Sequence, residues 1–168
     1  MFDEIRLKRS MEKLQQGNDE AFEYIYDSTH RLVYYQIYSI LKSHQEAENI
    51  MQDVYIKVYR NIDKYKNDNP RAWIVTIARN EAINLYHKNK KEVFMDEEEL
   101  DAFSEEDEKT PLINLAVKIL DEEEFLLVAY SVLEGKSRRE VAKILDLSPS
   151  GVTYKLNLAL EKLKKEVA

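Results

Sequence analysis

The stretch that decides the fold of this chain lies near its middle, from Asn69 to Lys91, and reads Asn-Pro-Arg-Ala-Trp-Ile-Val-Thr-Ile-Ala-Arg-Asn-Glu-Ala-Ile-Asn-Leu-Tyr-His-Lys-Asn-Lys-Lys. Asn69 followed by Pro70 is typical of a helix N-cap with proline at the first helical position. Neither glycine nor proline follows, so the sequence predicts one helix of about five turns. Its apolar residues recur at helical spacing and predict a buried stripe of Ile74, Ile77, Ala78, Ala82 and Leu85. We also assign Trp73 to this stripe.

A second, polar stripe runs along the same helix and contains no acid: Thr76, Asn80, Asn84, His87, Lys88 and Lys91. Amides can pair with base edges, and cations neutralise phosphates. A face that merely contacts solvent is the alternative interpretation. The lack of acids, together with a second nucleic-acid signature near the C-terminus, favours a nucleic-acid surface.

The composition predicts an all-α protein. Three glycines and three prolines in 168 residues leave few turns. The absence of cysteine excludes disulfides and thiolate metal sites, and fits a reducing cytosol. We also expect neither a signal peptide nor a membrane span, because no basic-then-apolar leader and no apolar run of roughly 18 residues occur. The expected location is therefore cytoplasmic.

The net charge of −7 hides an uneven distribution. Residues 92–109 hold ten acids and one lysine, a net charge of −9, so the rest of the chain carries +2. Within that rest, residues 57–91 hold nine cations and three acids (+6), and residues 136–168 hold eight cations and four acids (+4). Two basic segments separated by an acidic one are compatible with nucleic-acid binding, which the average charge argues against.

The segment before the central stretch predicts further helices. Residues 1–17 form an amphipathic lead-in, and Asn18 or Asp19 can cap a long tyrosine-rich helix. Ser43 and Glu46 form a capping box that starts the next helix. The face opposite the buried stripe of that helix is a compact acidic and amide patch, which predicts a docking face for a protein partner or a solvated surface: Glu48, Asn49, Gln52 and Asp53.

The C-terminal segment predicts a helix-turn-helix. Residues 92–110 are too charged to bury much surface, so we expect a flexible linker between a first domain at 1–91 and a second at 111–168. A helix opening at Asp121 ends at Gly135, a short helix follows a second capping box at Ser137, and Ser148-Pro149 starts a long last helix. This spacing is typical of DNA-binding helix-turn-helix units, although other trihelical bundles share it.

Three motifs in order resemble bacterial RNA polymerase sigma factors of the extracytoplasmic-function (ECF) group. The stretch from Glu46 to Tyr55 is similar to that family's Asp-Ala-Glu-Asp-Leu-Val-Gln-Glu-Val-Phe, and the stretch from Ala72 to Asn84 to its Trp-Leu-x-x-Ile-Ala-Arg-Asn-x-Ala-Ile-Asp. Residues 133–152 are similar to its Glu-Gly-x-x-x-x-Glu-Ile-Ala-x-x-Leu and Thr-Val motifs. The resemblance covers roughly residues 19–91 and 113–165.

The resemblance implies a protein without catalytic residues, metal or cofactor that binds core RNA polymerase and promoter DNA. The α-helical face at 48–53 would contact polymerase, and the acidic linker would lie in a basic polymerase channel. The downstream promoter element, melted to a single strand, would be held by the polar stripe and by the preceding loop: Tyr65, Asn67, Asp68 and Asn69. The upstream duplex element would be contacted by the last two helices: Arg138, Arg139, Ser150, Thr153, Tyr154, Lys155 and Asn157. The family commonly has a dedicated anti-sigma partner.

Two departures from the family pattern matter. The family's usual aspartate is Asn84 here, and a His-Lys-Asn-Lys-Lys tail at 87–91 stands where the family is rich in arginine. The family's Arg-x-x-Arg-Ala-Arg in the last helix is replaced by the arginine-free stretch from Lys155 to Glu161. Loss of those arginines removes phosphate contacts, so upstream binding is the least secure of the implied functions.

Three other classes of function compete with this interpretation. An enzyme is one of them, and the sequence argues against it. The three histidines are scattered, at His30, His44 and His87, and there is neither a His-Glu-x-x-His motif nor a phosphate-binding loop. A stand-alone helix-turn-helix regulator would bind duplex DNA without polymerase. A sigma-like protein that binds polymerase without recognising promoters is the third possibility, and the altered last helix keeps it open.

Overall fold

The computed structural model describes residues 2–66, 68–93 and 111–168, except for the side chain of Val93. Every regular element within these ranges is helical, which confirms the predicted all-α class. The first set of helices comprises α1 (Phe2–Gln15), α2 (Ala21–Leu41), α3 (His44–Arg60), a 3₁₀ turn (Ile62–Lys64) and α4 (Pro70–Val93). The second set comprises α5 (Pro111–Ile119), α6 (Glu122–Val128) with its π-helical continuation (Ala129–Leu133), α7 (Arg138–Leu145) and α8 (Pro149–Val167).

The helix starts follow from local hydrogen bonds that the sequence predicts. The Ser43 hydroxyl accepts the amide of Glu46 at the start of α3. Complete capping boxes open α6 at Asp121 and α7 at Ser137, so two orphan amides are satisfied at each end. The N-terminus of α2 differs from the prediction. Its N-cap is Glu20, which makes no side-chain cap bond, while Asn18 Oδ1 accepts the amide of Glu20 at 3.2 Å.

One helix end differs from expectation, whereas the predicted end of another is confirmed. Helix α4 continues through Val93, past the predicted boundary at residue 91, because no helix-breaking residue interrupts it. The helix that opens at Glu122 widens into a π turn over Ala129–Leu133 before Gly135, where φ is +62°. A left-handed φ suits glycine and ends the helix there. The predicted linker at 94–110 lies outside the described residues.

The two sets of helices pack directly against each other, which the sequence did not predict. Phe125 of α6 is 2% exposed and lies edge-on to the rings of Tyr35 and Tyr38 of α2, with centroids 6.2 and 5.9 Å away. The fully buried Tyr130 donates its hydroxyl hydrogen to the backbone oxygen of Leu32 at 3.2 Å. The apolar core is therefore continuous from α2 into α6.

Polar contacts fix the same junction. Asn114 of α5 is buried, and its Oδ1 accepts hydrogen bonds from the Tyr38 hydroxyl and from His44 Nε2, both at 2.8 Å. Arg79 of α4 reaches Glu122 through Nε at 2.9 Å and Nη2 at 3.4 Å. Such directional contacts favour one orientation of the two sets over other apolar packings.

We predict that Phe125→Ala lowers the free energy of unfolding by roughly 3–5 kcal/mol, because it empties the centre of this junction. Urea denaturation followed by circular dichroism measures the change. Val132→Ala, at a side chain that is 54% exposed, is the control and should change stability by less than about 0.5 kcal/mol. Equal effects of the two substitutions would contradict the assignment of Phe125 to a shared core.

Candidate nucleic-acid interface

The polar stripe of α4 forms a continuous solvent-exposed strip. Ile74, Ala78 and Ala82 are fully buried and hold one side of the helix against the core. The opposite side exposes the six predicted residues: Thr76, Asn80, Asn84, His87, Lys88 and Lys91. The Thr76 hydroxyl donates to the backbone oxygen of Ala72 at 2.8 Å. The strip therefore presents amides near the middle of α4 and cations towards its end, an order that suits base edges followed by phosphates.

The segment leading into α4 is anchored at both ends. Asn69 Oδ1 accepts the amide of Ala72 at 3.2 Å, which is the predicted cap, while its Nδ2 donates to the backbone oxygen of Lys143 at 3.3 Å. Asp68 is exposed, and Asn67 lies outside the described residues. The predicted loop therefore offers Asp68 to solvent, whereas both ends of the Asn69 amide are already engaged.

Tyr65 differs from its predicted role at the surface. Its side chain is 4% exposed and its ring packs on Trp73, with centroids 5.5 Å apart. Burial is the main cause that raises the pKa of Tyr65 to about 12. Tyr65 therefore anchors the start of the loop and does not present its ring to a base in this structure. Sequence reasoning had no signal for this burial, because the partner ring stands eight positions later on another element.

The predicted docking face on α3 is open to solvent. Glu48, Asn49, Gln52 and Asp53 are all exposed, opposite the buried Ala47, Val54 and Val58. The exposed Ile56, which the sequence analysis missed, lies three residues beyond Asp53 and adds an apolar group to this face. Its position outside the buried stripe was the signal that could have revealed it.

A groove of about 710 Å³ adjoins this docking face. Tyrosines of α2 and α3 line it together with Glu48 and Gln52 of α3 and with Leu133 of the second helix set. Within it, the ring of Tyr26 stacks on His30 at 5.2 Å and lies 4.7 Å from Tyr55. The tyrosine-rich helix therefore contributes to a concave aromatic surface beside the acidic patch.

The helix-turn-helix surface exposes five of the seven residues that are predicted to contact DNA. Arg138, Arg139, Ser150 and Asn157 are exposed, and Tyr154 is 67% exposed. Thr153 is half-buried and donates its hydroxyl hydrogen to the backbone oxygen of Pro149 at 3.1 Å. Lys155 forms an ion pair with Glu123 of α6. The described basic surface at the start of α7 and α8 therefore relies on the two arginines.

The cap of α8 lies close to a glycine. Ser148 Oγ accepts the amide of Gly151 at 3.0 Å, and a Cβ at Gly151 would lie 2.9 Å from that oxygen. Glycine leaves room for the cap oxygen at this position, which glutamate occupies in the caps of α3, α6 and α7. This cap places the exposed Ser150 and Tyr154 at the leading end of the helix.

The two candidate DNA surfaces touch one another. The Asn69–Lys143 hydrogen bond joins the start of α4 to α7, and Lys143 Nζ also lies 3.8 Å from Glu4 of α1. In this arrangement, α7 covers part of the segment that leads into the polar strip.

A buried arginine of α4 forms an ion pair with an aspartate of α1. Arg71 is 5% exposed and forms an ion pair with Asp3, which also accepts a hydrogen bond from the Tyr24 hydroxyl. Partial burial opposes ionisation of Asp3, but the bond from Tyr24 and the charge of Arg71 hold its pKa below the ordinary value.

Within the described ranges, no group of three or more His, Asp or Glu side chains could hold a metal ion, and no helix has the length and apolar character that a membrane span needs.

Comparison with known proteins identifies a family for part of the chain. Residues 25–92 match the Sigma-70 region 2 family. The chain is 31% identical to the ECF RNA polymerase sigma factor SigW of Bacillus subtilis over 96 residues, 56% of this chain and 51% of SigW. It is 24% identical to SigX of the same organism over 164 residues, 89% of this chain and 84% of SigX. The match therefore spans about half the length of SigW and most of SigX.

Solved structures share the fold. CnrH, solved in complex with the cytosolic domain of CnrY, superposes with a TM-score of 0.69 at 19% identity and covers 96% of this chain and 97% of its own. RpoE of Bartonella quintana, solved with the anti-sigma factor NepR, gives 0.59 at 20% identity and covers 80% and 88%. Residues 25–92 of the chain therefore belong to the Sigma-70 region 2 family. Several of the relatives that the chain matches are ECF RNA polymerase sigma factors.

We predict that Tyr65→Phe raises the free energy of unfolding by about 1 kcal/mol. The Tyr65 hydroxyl oxygen is buried without a hydrogen-bond partner among the described residues, so its removal relieves a desolvation cost and breaks no bond. Because the pKa of Tyr65 is raised, the free energy of unfolding of the parent protein should fall as pH rises from about 10 towards 12. The free energy of unfolding of the variant should fall less over that range. Thermal and urea melts measure both effects.

Tyr59→Phe is the matched control, because the Tyr59 hydroxyl is exposed and donates to Asp19 at 2.9 Å. It should change stability by less than about 0.5 kcal/mol. A Tyr65→Phe protein that is less stable than the parent would show that the hydroxyl makes a favourable bond.

Proposed function

We propose that this chain is an ECF-type initiation factor that binds core RNA polymerase, recognises promoters and helps to open them. The observation that carries the proposal is the α4 strip, where exposed amides are followed by exposed cations within the segment that matches Sigma-70 region 2. A strip of this kind can hold a displaced strand without any chemical step, because base contacts and phosphate contacts together offset a few kcal/mol of unstacking.

The proposal assigns separate tasks to the two helix sets. The first set, at 1–91, would dock on polymerase through α3 and hold the melted downstream element along α4. The second set, at 111–168, would contact the upstream duplex through Arg138, Arg139 and the leading end of α8. The acidic segment between them, which lies outside the described residues, would connect the two and occupy a basic channel of polymerase.

A protein that inhibits the factor is part of the proposal. CnrH and RpoE of B. quintana were each solved with a second protein, and NepR is an anti-sigma factor of RpoE. The present chain shares their fold and exposes an aromatic groove beside its acidic docking face. An anti-sigma partner would therefore compete with polymerase for the first helix set.

A polymerase-binding regulator with weak promoter recognition is the second candidate. It is favoured by α8, where Lys155 is paired with Glu123 and no arginine follows. Run-off transcription with core polymerase across a panel of promoters separates the two functions. Specific transcripts support the initiation factor, whereas polymerase binding without transcripts supports the second candidate.

We predict that reversing two charges on the docking face, Glu48→Lys with Asp53→Lys, weakens binding to core polymerase at least tenfold. Both side chains are exposed, so thermal stability should remain nearly unchanged. Glu161→Lys with Glu166→Lys makes the same change in net charge at exposed positions of α8 and should leave polymerase binding intact. Unaltered capture of core polymerase by the first pair would place the docking face elsewhere.

We predict that substitutions of the amides and of the cations of α4 affect promoter binding in different ways. Asn80→Ala should cost about 1–3 kcal/mol on the preferred downstream element and reduce discrimination among its variants, because an amide can donate and accept at one base edge. Lys88→Ala should weaken all promoters about equally and reduce the salt slope of binding by roughly one unit.

Permanganate footprinting of open complexes and titrations at several salt concentrations measure these two effects. Thermal melts of both variants provide the control, since each side chain is exposed. An Asn80→Ala protein with a lower melting temperature and an intact ranking of promoters would assign Asn80 to folding and not to base recognition.

A further inference from the structure

The end of α1 contacts the segment that leads into α4. Gln15, the last residue of α1, donates from Nε2 to the backbone oxygen of Ile62 at 3.0 Å and to that of Tyr65 at 2.8 Å. Both hydrogens of one amide group are therefore used on two carbonyls that stand about fifty positions away along the chain. Two acceptors on the same side also fix the amide orientation, because only the NH₂ group can donate to them.

Helix α1 holds this amide in a defined place. Leu7, Met11 and Leu14 are at most 4% exposed and seat one face of α1 in the core. The helix then ends in a tight turn, where the amide of Asn18 bonds to the backbone oxygen of Lys13 at 3.0 Å and Gly17 has φ +88°. A positive φ at glycine costs little, so the end of α1 is well determined.

The two accepting carbonyls control the direction of the following segment. Ile62 O also accepts the amide of Tyr65 at 3.1 Å, so Gln15 closes the 3₁₀ turn at Ile62–Lys64 from outside. The Tyr65 side chain is buried against Trp73, and four residues later Asn69 caps α4. The ring and the carbonyl of Tyr65 thus fix the backbone three residues before the exposed Asp68.

We propose that Gln15 is a positioning residue for recognition of the downstream promoter element. It would act through the backbone of Ile62 and Tyr65, which sets where the segment before α4 stands relative to the polar strip. The proposal rests on the proposed function and extends it, because α1 lies outside residues 25–92 that match the Sigma-70 region 2 family. Promoter discrimination would then depend on an N-terminal helix that itself contacts no base.

Run-off transcription with core polymerase and the full chain tests the proposal, using a preferred downstream element and single-base variants of it. Gln15→Ala removes both donors and should reduce discrimination among these elements by about three- to tenfold, the effect of one or two hydrogen bonds of ordinary net strength. Gln15→Glu turns a carboxylate towards two carbonyl oxygens and should reduce discrimination further. Gln15→Lys restores a donor and should recover most of it.

Matched variants at the neighbouring exposed residue control for the change in charge. Gln16→Ala, Gln16→Glu and Gln16→Lys should each keep the parental ranking of promoters. Permanganate reactivity of the melted strand should shift in pattern for Gln15→Ala at saturating polymerase. A role confined to stability predicts instead a lower melting temperature with unchanged ranking and pattern.

The outcomes separate this inference from the function on which it rests. If the parental chain directs no transcripts on any promoter, the proposed function fails. If the parental chain initiates and Gln15→Ala keeps its ranking and permanganate pattern, the positioning role is overturned while the proposed function stands. Failure of Gln15→Lys to recover discrimination, together with full activity of Gln16→Lys, would also overturn the hydrogen-bond explanation.

Discussion

Burial of α2 on several sides is the constraint on which the rest of the structure depends. Ile25, Val33 and Ile37 are fully buried, and α1, α3, α4 and α6 all pack against this helix. A helix that is apolar on most of its surface must be covered by neighbours, because exposing it would cost roughly 25 cal/mol for each Å². Helices α3 and α4 therefore each turn one stripe inward and leave one polar face outside.

The exposed faces of α3 and α4 owe their availability to this arrangement. Once Ala47, Val54 and Val58 of α3 are buried, the acidic and amide residues of that helix can only point outward. The same reasoning applies to the strip on α4, where Ile74, Ala78 and Ala82 occupy the inner side. The sites proposed for polymerase and for a DNA strand thus lie on different surfaces of one small helical unit.

The junction between the helix sets shows how aromatic and polar contacts combine. Phe125 and Tyr130 supply apolar burial, while Asn114 and Glu122 add directional bonds to α2 and α4. Burial alone would tolerate several orientations, and the hydrogen bonds select one of them. The selected orientation brings the backbone oxygen of Lys143 of α7 within hydrogen-bond distance of Asn69, beside the polar strip of α4.

Local patterns in the sequence determined the helices and the residues that face outward. Asn69-Pro70, Ser137 with Glu140, and Ser148-Pro149 predicted helix starts that the structure confirms, because capping depends on neighbours within about four residues. The exposed strip on α4 and the exposed patch on α3 followed from helical periodicity in the same way.

Only the tertiary structure decided which distant groups meet. The burial of Tyr65 on Trp73, the pairing of Lys155 with Glu123, the bonds from Gln15 to Ile62 and Tyr65, and the contact of α7 with the start of α4 have no local signature. Each depends on the mutual orientation of packed helices, which is set by the shapes of many side chains together. Periodicity states that a face is buried, but it does not state which face of which helix covers it.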